Sequence, residues 1–399
     1  MTNILITDQQ RRARLVERQH LGGTASNVLQ TVRDLVVVNS TDPVTPVLAL
    51  WARIHGFDGA DLDAALYEDR TLWRLHSMRR TLFVVAADEA SMLDAAVGRK
   101  IAAAERKRLL EWLASAMPAE EIDGWLAETR EAVLVAVSRG KGKRTSELVD
   151  LLPALSLHIE MGKGPQKSPI STRLLHVMAV ELDLVRTRPK GSWRGSQYRW
   201  DRTNSWFGES LEVLVPIEDE AQARAALAGR YLASYGPVTR DDLKWFAGWT
   251  VPQTMEALAA NGAVEVDLHR REKGWVLPDD VETPEVVEAG VVTLLPGLDP
   301  TPMAYKERRF FLGPHGTDTF DETGNIGPTV WLDGKIIGGW AARDNGEVVA
   351  ELLEEVGTEA AVAVSAEAAR LTTWLEGAPI IPRFPSHVEK RLREAEEED

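Results

Sequence analysis

Six basic side chains, Arg186, Arg188, Lys190, Arg194, Arg199 and Arg202, crowd into seventeen residues of this chain. Only Asp201 opposes them, and Trp193, Tyr198 and Trp200 are interleaved. Guanidinium and ammonium groups neutralise phosphates, while aromatic rings stack on bases or wedge between them. Gly191 and Gly195 stand where such a ribbon would bend. Two readings fit these types and spacings. Either Arg188, Lys190, Trp193, Arg194, Arg199 and Arg202 touch DNA, or the rings pack inward while the arginines reach water along their apolar stems. Arg79 and Arg80 form a weaker basic pair. Arg99, Lys100, Arg106, Lys107 and Arg108 read equally well as a solvated helix face. A second polar cluster, Asn39-Ser40-Thr41-Asp42-Pro43, lies between a β-branched run and a helix. On its own it reads as a helix start, with Thr41 or Asp42 capping the helix that Pro43 opens.

Other chemistries drop out. The eight histidines are scattered without an H-x-x-x-H pair, so no dedicated metal site is expected. With no cysteine, disulfides, iron–sulfur clusters, thiol nucleophiles and cysteine zinc sites are excluded, and a reducing cytoplasm fits. Gly162-Lys163-Gly164 lacks the rest of a phosphate loop. Leu294-Leu295-Pro296-Gly297 shares the LPG of helix-hairpin-helix repair proteins, but lacks their second glycine and sits among strands. No signal peptide is expected from the N-terminus, and no apolar window reaches the roughly eighteen residues of a membrane span. The net charge of −15 argues against a phosphate partner only as a total. Screening acts over roughly 8 Å, so placement of the 46 basic residues, 34 of them arginine, decides.

Positioning such groups takes a framework, and 399 residues predict two to four domains. Apolar spacing predicts helices at 8–20, 25–35, 43–54 and 61–69, then a strand-turn-strand over 71–86. Helices followed by a two-stranded ribbon are the order of a winged helix. The order recurs in helices over 120–152 and 169–182 feeding a hairpin at 184–200. It recurs again in helices at 219–234, 238–248 and 252–261 feeding a hairpin at 263–277. After Pro278, strands are expected at 291–298, 328–342 and 346–353, with Asp333-Gly334 as a hairpin turn. A helix at 358–376 and a solvated acidic end follow. The fold class is thus α+β, three tandem winged-helix units plus a β-rich C-terminal region, divided as 1–115, 116–215, 216–285 and 286–399.

Several blocks carry a resemblance: TDPVTPVLALWARIHGF from Thr41, DLDAALYEDRTLWRLHSMRRTLFVV, GSWRGSQYRW, YGPVTRDDLKWFAGW, LLPGLDPTPMAYKERRFFLG and GNIGPTVWLDGKIIGGW. Together they span most of the chain, which resembles the winged-helix DNA glycosylase superfamily typified by the azinomycin-resistance glycosylase. The resemblance implies a C-shaped clamp around duplex DNA and removal of N7-alkylguanines. It also implies a catalytic Gln-x-Gln or Gln-x-Asp motif ahead of a helix ending in Trp-x-Arg. Here Asn39-Ser40-Thr41 stands at that position, followed by Trp51 and Arg53. Both glutamines are replaced. N7-alkylation makes guanine a cationic leaving group, so the remaining work is to stabilise an oxocarbenium-like sugar and aim a water at C1′. Asn39 keeps a carboxamide that can hold such a water, Thr41 offers a hydroxyl, and Asp42 can accept the proton.

The expectation is therefore a monofunctional DNA glycosylase with Asn39, Thr41 and Asp42 as catalytic residues and Arg79, Arg80 and the basic ribbon on the DNA. It would act in base-excision repair or toxin self-resistance, on a bulky N7-guanine adduct in duplex DNA. A cytoplasmic monomer without cofactor, metal or membrane partner is expected. The rival classes are a non-catalytic DNA-binding protein or regulator, and a protein that sequesters the genotoxin itself.

Overall fold

The computed structural model describes residues 4–138, 142–160, 167–208, 215–282 and 289–395. The chain is a mixed α/β fold in two units, Met1–Leu62 with Arg224–Asp399, and Asp63–Ala223. Gly162-Lys163-Gly164, the basic residues Arg139 and Lys141, and the last four residues of the acidic end lie outside the described residues.

In the unit Asp63–Ala223, strands Leu72–Ser77 and Thr81–Ala86 pair antiparallel from Leu72↔Ala86 to Ser77↔Thr81. This matches the strand-turn-strand expected over 71–86. The turn sets Arg79 and Arg80 at φ of 55° and 64°, a left-handed conformation that side chains with a Cβ enter reluctantly. Helix Ala119–Val137 buries Ile122, Leu126, Thr129, Val133 and Val137, one stripe at helical spacing. Its apolar members pack with Leu109, Leu113, Leu148, Leu174 and Met178 in the core of this unit. Helix Ser171–Val180 then feeds a second hairpin, Leu184–Thr187 with Arg199–Arg202. Lys143–Arg144 pairs with the free side of Arg199–Arg202. Gly142 makes that approach possible, because a Cβ there would lie 2.8 Å from the Trp200 carbonyl oxygen.

The other unit holds helices Asp8–Arg18, Val28–Asp34 and Val44–Trp51. From later in the chain come most of helix Glu220–Tyr235, which the unit boundary cuts at Arg224, and helices Arg240–Ala247 and Val251–Ala260. Thr239 with Asp242 and Thr250 with Gln253 form reciprocal capping boxes, and Gly248 closes the middle helix in the left-handed region. A third hairpin, Val264–Leu268 with Lys273–Val276, is joined in parallel by Leu5–Ile6. The four strands Val292–Leu295, Thr329–Leu332, Lys335–Ala342 and Val348–Leu352 form an antiparallel sheet in chain order. Helix Thr358–Leu375 packs on its two outer strands.

A short helix for which the sequence raised no expectation precedes the acidic end. Residues His387–Glu394 form a helix whose Val388 is fully buried against Lys335–Ala342. Gly339 admits it, since a Cβ at that position would sit 2.3 Å from Val388 Cγ1. Among the described residues, no helix is long and apolar enough to cross a membrane, and no group of three or more side chains could hold a metal ion.

Candidate active site

The polar stretch begins in strand Val38–Asn39, behind a fully buried Val36-Val37-Val38 run. Apolar residues on both sides force Asn39, Ser40 and Asp42 into buried positions, so each polar atom needs a partner. Asn39 Oδ1 accepts the Thr41 N–H at 2.8 Å. Asp42 Oδ1 accepts the Val44 N–H at 3.2 Å, so the carboxylate occupies a first-turn amide of helix Val44–Trp51, as its helix-start reading expects. The Thr41 carbonyl accepts from Arg383 Nη1 at 2.6 Å. The Asn39 NH2 and the Thr41 hydroxyl take no part in these bonds, and Thr41 is half-buried. Burial pushes the Asp42 carboxyl up from its ordinary range, while the Val44 amide and the charge and amide of Arg383 pull the other way.

Trp51 and Arg53 fix the far end of the helix that follows this turn. Arg53 and Asp299 form a fully buried bidentate pair, with both N···O distances at 2.8 Å. The guanidinium also donates to the carbonyls of Gln19 and Ala49 and to Thr301 Oγ1, so its donors are spent on structure. Thr45 Oγ1 donates to the Gly297 carbonyl at 2.8 Å. Trp51 is buried with the Arg370 guanidinium 3.6 Å from its ring centroid and Trp374 tilted against it. The Trp-x-Arg pair thereby docks helix Val44–Trp51 onto the Pro296–Asp299 turn.

Asp42 lines a partly open pocket together with Gly297, Trp340, Arg383, Phe384 and Glu389. Asn39 and Thr41 do not line it. Glu389 is 3% exposed, and burial pushes its carboxyl up to about 8, with the Asp42 charge adding to the rise. Asp299, Arg383 and Glu389 were missed in the sequence. A signal existed for the last, because Ser386-His387-Val388-Glu389 carries the Ser-x-x-Glu spacing of a helix start.

In the unit Asp63–Ala223 the basic ribbon divides by residue. Arg186 turns inward, with Nη1 at 3.2 Å from ring nitrogens of His76 and its guanidinium 4.8 Å from the Trp200 ring. Burial pushes His76 well below its ordinary value, leaving a neutral ring beside that cation. Trp200 is buried, and Tyr198 lies under the Arg74 guanidinium. These residues follow the inward-packing reading. Arg188 pairs with Asp63 at 3.3 Å and Glu68 at 3.2 Å, and Arg199 pairs with Glu147 at 3.2 Å. At the tip, Lys190 and Arg194 are exposed, and the Arg194 guanidinium stacks 4.6 Å from the Trp193 ring centroid. Arg202 is half-buried at the strand end. On the first hairpin, Arg80 pairs with Glu105 at 3.2 Å and Arg79 is half-buried beside it. Arg188 and Arg199 also line a hollow with Tyr67, Arg70 and Trp206, where Arg70 stacks 4.5 Å from the Trp206 ring. Arg70 and Trp206 did not stand out in the sequence.

Comparison with known proteins first gives the class. The fold is similar to that of the Streptomyces sahachiroi DNA glycosylase AlkZ, with a TM-score of 0.70 and 20% identity over 92% of this chain and 97% of that one. A family model described as DNA glycosylase AlkZ-like matches residues 32–374, and the chain belongs to the AlkZ-like DNA glycosylase family. That makes it a DNA-binding hydrolase of DNA repair. No curated protein matches it.

Proposed function

We propose that the protein is a monofunctional glycosylase that excises N7-alkylguanine, including bulky adducts, from duplex DNA, acting as a monomer in base-excision repair or toxin self-resistance. One observation supports the reading: the Asn39–Asp42 turn, where the resemblance expects the catalytic motif, carries a buried carboxylate beside a carboxamide and a half-buried hydroxyl. The Asn39 NH2 and the Thr41 hydroxyl hold the attacking water, and Asp42 takes its proton. As the C1′–N9 bond breaks, its electron pair moves to N9 and cancels the purine's positive charge. The new C1′–O bond forms from the water, and the products are an abasic sugar and a neutral base. No protonation of the leaving group is needed. The three helix-plus-hairpin sets act as winged helices, and Arg79, Arg80, Arg188, Lys190, Trp193, Arg194, Arg199 and Arg202 contribute the DNA contacts.

A second reading, a DNA-binding protein without chemistry, draws support from the Asn39 oxygen, which is already taken by the Thr41 amide. Alkali cleavage of duplexes carrying small and bulky N7-alkylguanines separates the two. Strand scission above a protein-free control is expected, and its absence across all adducts ends the enzyme reading.

A further inference from the structure

The pocket beside Asp42 contains a carboxyl group that excision as described leaves unused. Glu389 Oε2 is buried without a hydrogen-bond partner, and the residue lines the same pocket as Asp42 and Arg383. About 30 Å³ of that pocket is open to the centre of a water molecule. That exceeds the roughly 10–15 Å³ one water requires. The pocket therefore has room for water beside the two carboxyl groups.

The backbone is shaped to deliver Glu389 there. Gly339 lets Val388 sink onto the sheet, and a Cβ on Gly327 would lie 2.4 Å from Ser386 Oγ. Ser386 Oγ in turn accepts the Glu389 N–H. The charges around the group are otherwise engaged. On its own helix, Arg393 is held by Asp344 and the carbonyls of Ala342 and Ile380, and Arg391 by Glu351 and Asp318. Lys335, on the strand beneath, pairs with Glu354. Arg383 donates to Thr41, and Asp42 stands at the pocket wall. Burial outweighs the hydrogen bond from the Ser386 amide and the attraction of Arg393, and the Asp42 charge reinforces burial, so the fold favours the protonated carboxyl.

We propose that Glu389 is a positioning acid of the excision site, whose carboxyl donates a hydrogen bond through a pocket water to Asp42 and holds that carboxylate in line for the attacking water. The proposal rests on the excision reading above. During attack the water's proton passes to Asp42, and Glu389 keeps its own proton throughout. Once ionised, a carboxyl group only accepts hydrogen bonds, and the link to Asp42 breaks.

Single-turnover excision of 7-methylguanine from a duplex, followed between about pH 6 and 10, tests this. The wild-type rate is expected to fall about tenfold per pH unit above the Glu389 titration. Glu389→Gln, whose amide donates at every pH, slows excision about fivefold at neutral pH but removes that alkaline fall. Glu389→Leu, with no donor, loses about a hundredfold at all pH values without change in Kd for DNA. A Glu389→Gln profile that retains the wild-type alkaline fall, or a fully active Glu389→Leu protein, overturns the proposal. If the wild type excises nothing, the excision reading fails separately. The carboxyl pair is then read by infrared difference spectra between about pH 7 and 9. A protonated carboxyl band should vanish over that range, be missing in Glu389→Gln, and titrate at lower pH in Asp42→Asn. A band absent from the wild type, or unmoved by Asp42→Asn, overturns the pairing.

Discussion

Replacing Glu389 by glutamine should stabilise the folded protein in a pH-dependent way. The carboxyl titrates ordinarily at 4.5 and in the fold at about 8. The folded state therefore keeps a proton that the unfolded chain releases above 4.5. Its contribution is whole below that pH and drains away as pH rises to about 8. At about 1.4 kcal/mol per pH unit, the interval from pH 5 to pH 8 corresponds to roughly 4 kcal/mol. The glutamine side chain has nearly the same shape and no titration, so packing effects cancel when the two proteins are compared at two pH values. Urea unfolding of both proteins at pH 5 and pH 8 gives the double difference directly. Relative to Glu389→Gln, the wild type should lose about 4 kcal/mol between the two conditions, seen on heating as a relative Tm loss of roughly 5–8 °C. Parallel pH dependences in the two proteins would refute a buried, proton-holding Glu389. A group that weakens the fold at neutral pH is the kind of residue a functional site retains.

Asp299→Asn should cost about 3–5 kcal/mol in unfolding free energy, because it leaves the Arg53 charge buried and unpaired. The double substitution Arg53→Met with Asp299→Leu should recover most of that loss, and a single variant as stable as wild type would contradict the pinning role. For the basic ribbon, Lys190→Ala with Arg194→Ala should lower the slope of log K for DNA against log salt by about 2. Arg199→Ala should change it less, since Glu147 already engages that guanidinium, and the reverse ranking in a salt titration would contradict this division of the hairpin.

Much of the framework was legible because it depends on local pattern. The hairpin over 71–86 announces itself in β-branched and aromatic residues on either side of Met78-Arg79-Arg80. Thr239, Asp242 and Gly248 bracket a helix with its start and stop signals, and Asp333-Gly334 makes the turn expected of that dipeptide. The site was legible only in part. Asp42 bonding Val44 follows from neighbours in sequence. Asp299 reaches Arg53, and Glu389 reaches the Asp42 pocket, only through tertiary packing that carries no periodic trace. The helix His387–Glu394 also went unread, since only Val388 and Glu389 in its first turn are buried while His387 and Lys390 face solvent, too little for a periodic signal. Arg186 shows the same limit within the ribbon. Its register opposite Trp200 turns it inward, and basic composition alone gives no sign of that.

On the excision reading, the carboxylate of Asp42, beside Asn39 and Thr41, readies water for attack at C1′. The most direct test is chromatographic detection of free 7-methylguanine released from duplex DNA by wild type, Asp42→Asn and Asn39→Ala at equal, saturating occupancy of the DNA. Release by the wild type, with a loss of about a hundredfold or more in both variants, is the expected result. Equal release by all three would contradict the claim and leave the chemistry to be found elsewhere in the chain.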